Sequence, residues 1–195
     1  MTPEQTRAVE YLRRSGTEAP VAEIRRKVKE TFRELDELVA GIPEEAVRVR
    51  PRPGRWCVQE VVDHLILSHR PAGEELACLL KGEAPPGEPI PAHLQSPDAM
   101  EKDWHGLVRE MSVVHGRFAS LVAEAREDTP LQARAPLVMV IDGIEWLEEL
   151  DWKAYAMAFR AHGLGHARQI RAILAELSSE GRKKKEERPE ENSRS

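Results

Sequence analysis

The chain is short of the residues that build disulfide scaffolds, membrane spans and aromatic binding platforms, and each shortage excludes something. Only two of its 195 residues are cysteine. Cys57 and Cys78 fall on one expected helix, too far apart along it to pair, and two unpaired thiols suit a reducing, cytoplasmic compartment. No apolar run approaches the length of a membrane span, and Met1 to Arg14 lacks the apolar stretch of a signal peptide, so a soluble chain with no membrane partner is expected. Aromatic residues make up 5% of the sequence, which leaves the core to Leu, Val and Ala and suits helices. Neither sign of charge dominates: the formal net charge is −5. Nothing in that balance makes a phosphate-binding surface, and no nucleic-acid partner is expected.

What is present is helical periodicity in a chain long enough for one ordinary domain. Thr2-Pro3-Glu4-Gln5 has the form of a capping box with proline at the first helical position, predicting a short helix that ends near Ser15-Gly16. Val21, Ile24, Val28, Phe32, Leu35 and Leu38 recur at intervals of three and four, so a first long helix is expected from about Pro20 to Ala40. After the extended loop Arg50-Pro51-Arg52-Pro53-Gly54-Arg55-Trp56, a second runs from about Val58 to Leu80, with Pro71 expected to kink or divide it. The proline-rich stretch from Gly82 to Pro97 reads as an extended crossover between the ends of a bundle. Ser96-Pro97-Asp98 is expected to cap a third helix reaching to about Ala125. Thr129 to Gly143 reads as a packed loop or helical turn, because Leu137 to Ile141 has no evident partner strand. A fourth long helix is expected from near Ile144 to near Ser178.

Composition changes after Leu177. Ser178 to Ser195 contains Arg182-Lys183-Lys184-Lys185, several glutamates and no large apolar residue. Such a segment cannot offset its ordering entropy by burial. The expected organisation is therefore a bundle domain over residues 1–177 and a disordered, charged, solubilising tail over 178–195. The fold class is all-α, a four-helix bundle preceded by a short N-terminal helix.

Seven histidines are spread through the chain. His162 and His166 stand four apart, in step with Phe159, Ile170, Ile173 and Leu177, so both face into the bundle. A neutral imidazole has one donor and one acceptor to satisfy, and burying two side by side without partners is costly. A shared divalent cation uses both lone pairs, while hydrogen bonds within a core would also serve; a third inward histidine would favour the metal. His64, beside Val61 and Leu65, is the candidate. His69 lies about 140° further around the helix, His93 lies in the crossover, and His105 and His115 stand beside solvent-type residues, so none of these four is expected to be a ligand. Gly163 and Gly165 weaken the helix at this turn by roughly 1 kcal/mol each relative to alanine and leave room for a close approach.

Arg50-Pro51-x-Pro53-Gly54-x-Trp56 followed by Glu60-Val61-Val62-Asp63-His64-Leu65 resembles the second-helix signature of the DinB-like family, and His162-x-x-x-His166-x-x-Gln169-Ile170 resembles its closing motif. The resemblance implies an antiparallel four-helix bundle, often dimeric, with a metal held by His64, His162 and His166. It implies a divalent ion, zinc or nickel foremost, and in some members thiol transfer from a low-molecular-weight thiol. One departure is Cys57, where the family has a Ser or Thr cap; it is expected to be a weaker, inert cap, with a reactive, low-pKa thiol as the alternative. Cys78 is expected to be a small core residue.

Two functions fit these residues. In the first, the ion keeps open positions and activates a thiol or water for transfer to an electrophile or for hydrolysis. In the second it clamps the second helix to the fourth in a non-catalytic, stress-linked or regulatory module. No catalytic residue beyond the ligands is identified: Asp63 points away from His64, and Asp142, Glu145 and Glu148 reach the site only if the chain folds back.

Overall fold

The apolar stripes assemble as the periodicity predicts, and the computed structural model describes residues 2–141 and 143–186. In chain order these form α1 (Pro3–Leu12), a π-helical turn over Arg13–Thr17, α2 (Val21–Ala40), α3 (Glu44–Val47), α4 (Val58–Leu80), α5 (Trp104–Glu124), β1 (Ala135–Ile141), β2 (Ile144–Leu150) and α6 (Trp152–Glu186). The capping box opens α1: the Gln5 N–H donates to the Thr2 hydroxyl at 3.3 Å, and the Thr2 N–H donates to Gln5 Oε1 at 2.8 Å. The π-turn that follows lies against the start of α6 so closely that a Cβ on Gly16 would sit 2.6 Å from the Ala154 Cα.

Two apolar clusters give the helix directions. One joins Val21, Ile24, Val28 and Phe32 of α2 to the end of α4, the end of α5 and the start of α6. The other joins Leu35 and Val39 to the start of α4, the start of α5 and the later turns of α6. α2 and α6 therefore run one way, and α4 and α5 the other. α4 packs on α5 and on α6, and α2 packs on the same two, so each helix has one parallel and one antiparallel neighbour. The parallel α4–α5 pair requires a connection as long as the bundle, which is why the proline-rich crossover exists.

The structure corrects several expectations. α5 begins at Trp104, where Asp103 accepts the Gly106 N–H at 2.6 Å; Ser96 does not cap it. Pro71 does not divide α4, which is helical from Val58 to Leu80. Leu137 to Ile141 is a strand after all, paired with Ile144 to Leu150 in an antiparallel hairpin, and Gly143 at the turn has φ +77°. A left-handed residue in a short hairpin turn is where glycine is favoured. α6 starts at Trp152 rather than near Ile144, because Asp151 accepts the N–H groups of Lys153 and Ala154 at 2.9 and 3.0 Å. At its other end α6 continues to Glu186, into the charged segment; residues 187–195 of the expected tail lie outside the described residues. No helix among the described residues is long and apolar enough to cross a membrane.

Candidate metal centre

His64 on α4 and the His162–His166 pair on α6 meet where these antiparallel helices cross, and their ligand nitrogens all lie within 4.8 Å of one another. His162 Nε2 is 3.2 Å from His64 Nε2 and 3.0 Å from His166 Nε2. No further His, Cys, Asp or Glu joins the group among the described residues. Burial, aided by repulsion from His64, pushes His166 down to about 4. Burial likewise lowers His64, and lowers His162 further, with His166 and His64 adding repulsion. The rings are thus neutral imidazoles near pH 7, the form that ligates.

The opposite nitrogen of each ring is occupied. His64 Nδ1 donates to the Leu94 carbonyl in the crossover at 2.8 Å, and His166 Nδ1 meets Gln169 Oε1 at 2.8 Å. His162 Nδ1 lies 2.9 Å from His69 Nε2. With Nδ1 as donor, each ring turns an Nε2 lone pair to the centre, and three lone pairs at this spacing have no proton to share. That donor set fits a borderline divalent cation such as zinc or nickel, held by imidazoles whose tautomers are fixed from behind.

The crossover is fastened close to this point. Buried Asp63, which faces away from His64 as expected, accepts the Ser96 N–H and hydroxyl at 2.9 Å each and the Lys102 ammonium at 2.6 Å. Burial works to raise its pKa, but the bonds from Lys102 and Ser96 prevail and hold it below the usual carboxylate range. The Arg50 to Trp56 motif secures the start of α4. Arg50 pairs with Glu60 at 2.6 Å, Glu60 accepts the Cys57 N–H at 2.9 Å, and the Trp56 ring leans on His64 with centroids 5.2 Å apart.

Two cavities open onto the cluster. One, about 320 Å³, is mainly apolar and touches His64 and His162 through Tyr11, Ile90, Leu137, Met139 and Phe159. The other, about 510 Å³, touches all three histidines and is lined also by Arg55, Trp56, His93, Gln169 and Glu176. Val140 of β1 lines both, so the chain does fold back over the site. Glu145 on β2 comes to 3.3 Å from His93.

The remaining histidines divide. His93 and His105 are exposed, beside Glu145 and Glu44. His69 and His115, against expectation, are buried at the heart of the bundle. The intervals Leu65–His69–Ala72–Leu76 and Met111–His115–Phe118–Val122 carry that information, since all are steps of three or four. Cys57 is fully buried, and burial raises its thiol, so the reactive-thiol alternative fails. Cys78 is half-buried rather than a core residue. Gly163 and Gly165 do not mark a close approach: a Cβ would meet Leu35 and Phe32 at 3.5 Å in the first case and open space in the second.

Fold and site together define a four-helix bundle with a three-histidine cluster suited to a divalent ion. The chain belongs to the DinB superfamily, whose model matches residues 27–170. Among solved structures it is similar to YfiT from Bacillus subtilis, described as a probable metal-dependent hydrolase with an unusual four-helix bundle topology. That match has TM-score 0.59 and 17% identity, covering 81% of this chain and 87% of that one. It is also similar to a mycothiol-dependent maleylpyruvate isomerase, with TM-score 0.56 and 12% identity, covering 79% of this chain and 62% of that one. The four-helix bundle protein TT2238 matches with TM-score 0.52 and 13% identity, over 78% of this chain and 98% of that one. Comparison with curated protein sequences finds no match.

Proposed function

We propose that His64, His162 and His166 hold a divalent ion, zinc or nickel, and that the protein is a metal-dependent enzyme of thiol transfer or hydrolysis. The observation that carries this is the convergence of three Nε2 atoms, each backed by a bond at Nδ1, with two cavities reaching the same cluster. A bound ion would lower the pKa of a coordinated thiol or water and so supply a nucleophile near neutral pH. The chain's own residues arrange the reactants. Leu94, Gln169 and His69 hold the imidazoles in the ligating tautomer, and Trp56 covers one edge of His64.

The two cavities favour transfer between two reactants over simple hydrolysis. The first, without a charged side chain in its wall apart from the histidines, suits an apolar electrophile, and the second, with Arg55, His93 and Glu176 in its wall, suits a charged low-molecular-weight thiol. A thiol-dependent isomerase and a described metal-dependent hydrolase among similar folds are consistent with both chemistries.

The test is elemental analysis of tag-free protein with the three His→Ala variants, followed by a screen of thiol donors against chromogenic electrophiles. About one ion per chain, lost in each variant, with metal- and thiol-dependent turnover, is the expected result. A wild type that takes up neither zinc nor nickel overturns the metal; one that binds metal but turns over no thiol or ester substrate leaves the ion as a clamp between α4 and α6.

A further inference from the structure

We infer that Asp36, His115 and His69 are positioning residues for His162: one residue from each long helix forms a single hydrogen-bonded file that determines which nitrogen of His162 offers its lone pair to the three-histidine cluster. The consequence for ion affinity rests on the metal reading above; the consequence for the tautomer does not.

The file starts at the bundle surface. Asp36 on α2 has a side chain 24% exposed, and His115 Nδ1 on α5 lies 2.6 Å from its Oδ1. A carboxylate only accepts, so His115 carries a hydrogen on Nδ1. His115 Nε2 is 3.1 Å from His69 Nδ1 on α4, and His69 Nε2 is 2.9 Å from His162 Nδ1 on α6. When no ring carries a second proton, the assignment runs in one direction. His162 donates to His69, His69 to His115, and His115 to Asp36, each from Nδ1. The lone pair left over is at His162 Nε2, facing His64 and His166. The opposite direction needs an additional proton on the file and turns an N–H of His162 into the cluster, where no cation can use it.

Burial holds both His69 and His162 well below the usual histidine range, with neighbouring histidines contributing, which keeps these rings neutral. Aromatic walls hold the ring planes. Phe32 stacks on His115 with centroids 4.3 Å apart at 14°, and Phe159 presents an edge to His69 at 5.3 Å. Both His69 and His115 are buried.

The three candidate ligands are thereby unequal. His64 is backed by a backbone carbonyl, and His166 by a neutral amide on its own helix. Only His162 is backed by a file that ends in a carboxylate. A negative charge at the end of a hydrogen-bond chain polarises each ring in turn and makes the last one a stronger donor to a cation. Because the file takes one residue from each long helix, it also ties the cluster to the packing of the entire bundle.

The experiment has two arms. In metal-free, ¹⁵N-labelled wild type, long-range ¹⁵N–¹H correlations report the tautomer of each buried histidine, and Nδ1–H is expected for His162, His69 and His115. In Asp36→Asn an amide can donate or accept, so mixed tautomers are expected, and zinc affinity measured against a chromogenic chelator should fall by about tenfold to a hundredfold. Asp36→Glu should recover part of that loss. An Nε2–H tautomer at His162 in the wild type overturns the inference, as does an Asp36→Asn protein with unaltered tautomers and zinc affinity. A wild type that binds no zinc defeats the metal reading, while the wild-type spectrum still decides whether the file sets the tautomer, including when the variants fail to fold.

Discussion

Two segments close over the histidines, and they are held in opposite ways. The crossover between α4 and α5 is fastened by polar bonds: Ser96 and Lys102 converge on buried Asp63, and the Leu94 carbonyl accepts from His64. The hairpin reaches the same region with side chains alone. Leu137, Val138, Met139 and Val140 line the apolar cavity, while Ile144 and Leu147 on its far strand are exposed at 51% and 58%. A hydrogen bond fixes a donor's direction to a few tens of degrees, whereas apolar contact fixes only volume. The crossover therefore governs the orientation of a candidate ligand, and the hairpin governs the shape of what lies beside it.

The comparison can be broken at its stronger side first. Asp63→Ala leaves Lys102 and the Ser96 groups without their buried partner and should cost about 3 kcal/mol. Urea unfolding would measure that loss, and zinc affinity should fall with it as His64 loses its support; a variant unchanged in both would show that the crossover is not fastened there. The floor that both segments cover is sharpened by pH in the metal-free protein. His166 is lowered from 6.5 to about 4, and His64, His69 and His162 are lowered too. Between these values the unfolded chain binds more protons than the folded one. Their contribution is then fully present above about pH 6.5 and is lost as pH falls toward about 4. Melting temperatures across that window should decline steadily, and a level profile would contradict the buried neutral cluster.

The hairpin should yield smaller effects. Gly143→Ala forces a residue with a side chain to φ +77° at the turn, at a cost of about 1 kcal/mol, readable as a modest drop in the thermal midpoint. Met139→Ala, on a half-buried wall of the apolar cavity, should change stability by under about 1 kcal/mol. It should nevertheless raise KM for an apolar electrophile more than it changes kcat. Equal effects on apolar and polar substrates would erase the distinction between the two segments.

Much of this molecule was legible before its structure. The stripe from Val21 to Leu38 predicts α2, and the loop ending at Trp56 places the start of α4. The four-residue spacing of His162 and His166 puts both on one face, and the Arg50 to Leu65 signature points to His64 as the third member of the cluster. What sequence reading missed was the hairpin, although Asp142-Gly143 is a recognised turn pair. Burial alternates along β2 from Glu145 to Leu150, but its residue types do not, and β1 is apolar throughout, so the residues carry no clean alternation signal. It also missed the burial of His69 and His115, because polar neighbours masked an apolar interval.

The division has a physical basis. Helix periodicity, capping and the facing of His162 and His166 depend on residues within a few positions of one another, and local chemistry determined them. The partners of the Nδ1 atoms lie at Leu94 and His69, far along the chain from His64 and His162. So do the links of the file through His115 to Asp36. Only the crossing of four helices, with α2 parallel to α6 and α4 parallel to α5, brings those groups within hydrogen-bond reach. The tertiary structure therefore decided which nitrogen of His64 and of His162 faces the centre, while His166 takes its partner Gln169 from the next turn of its own helix.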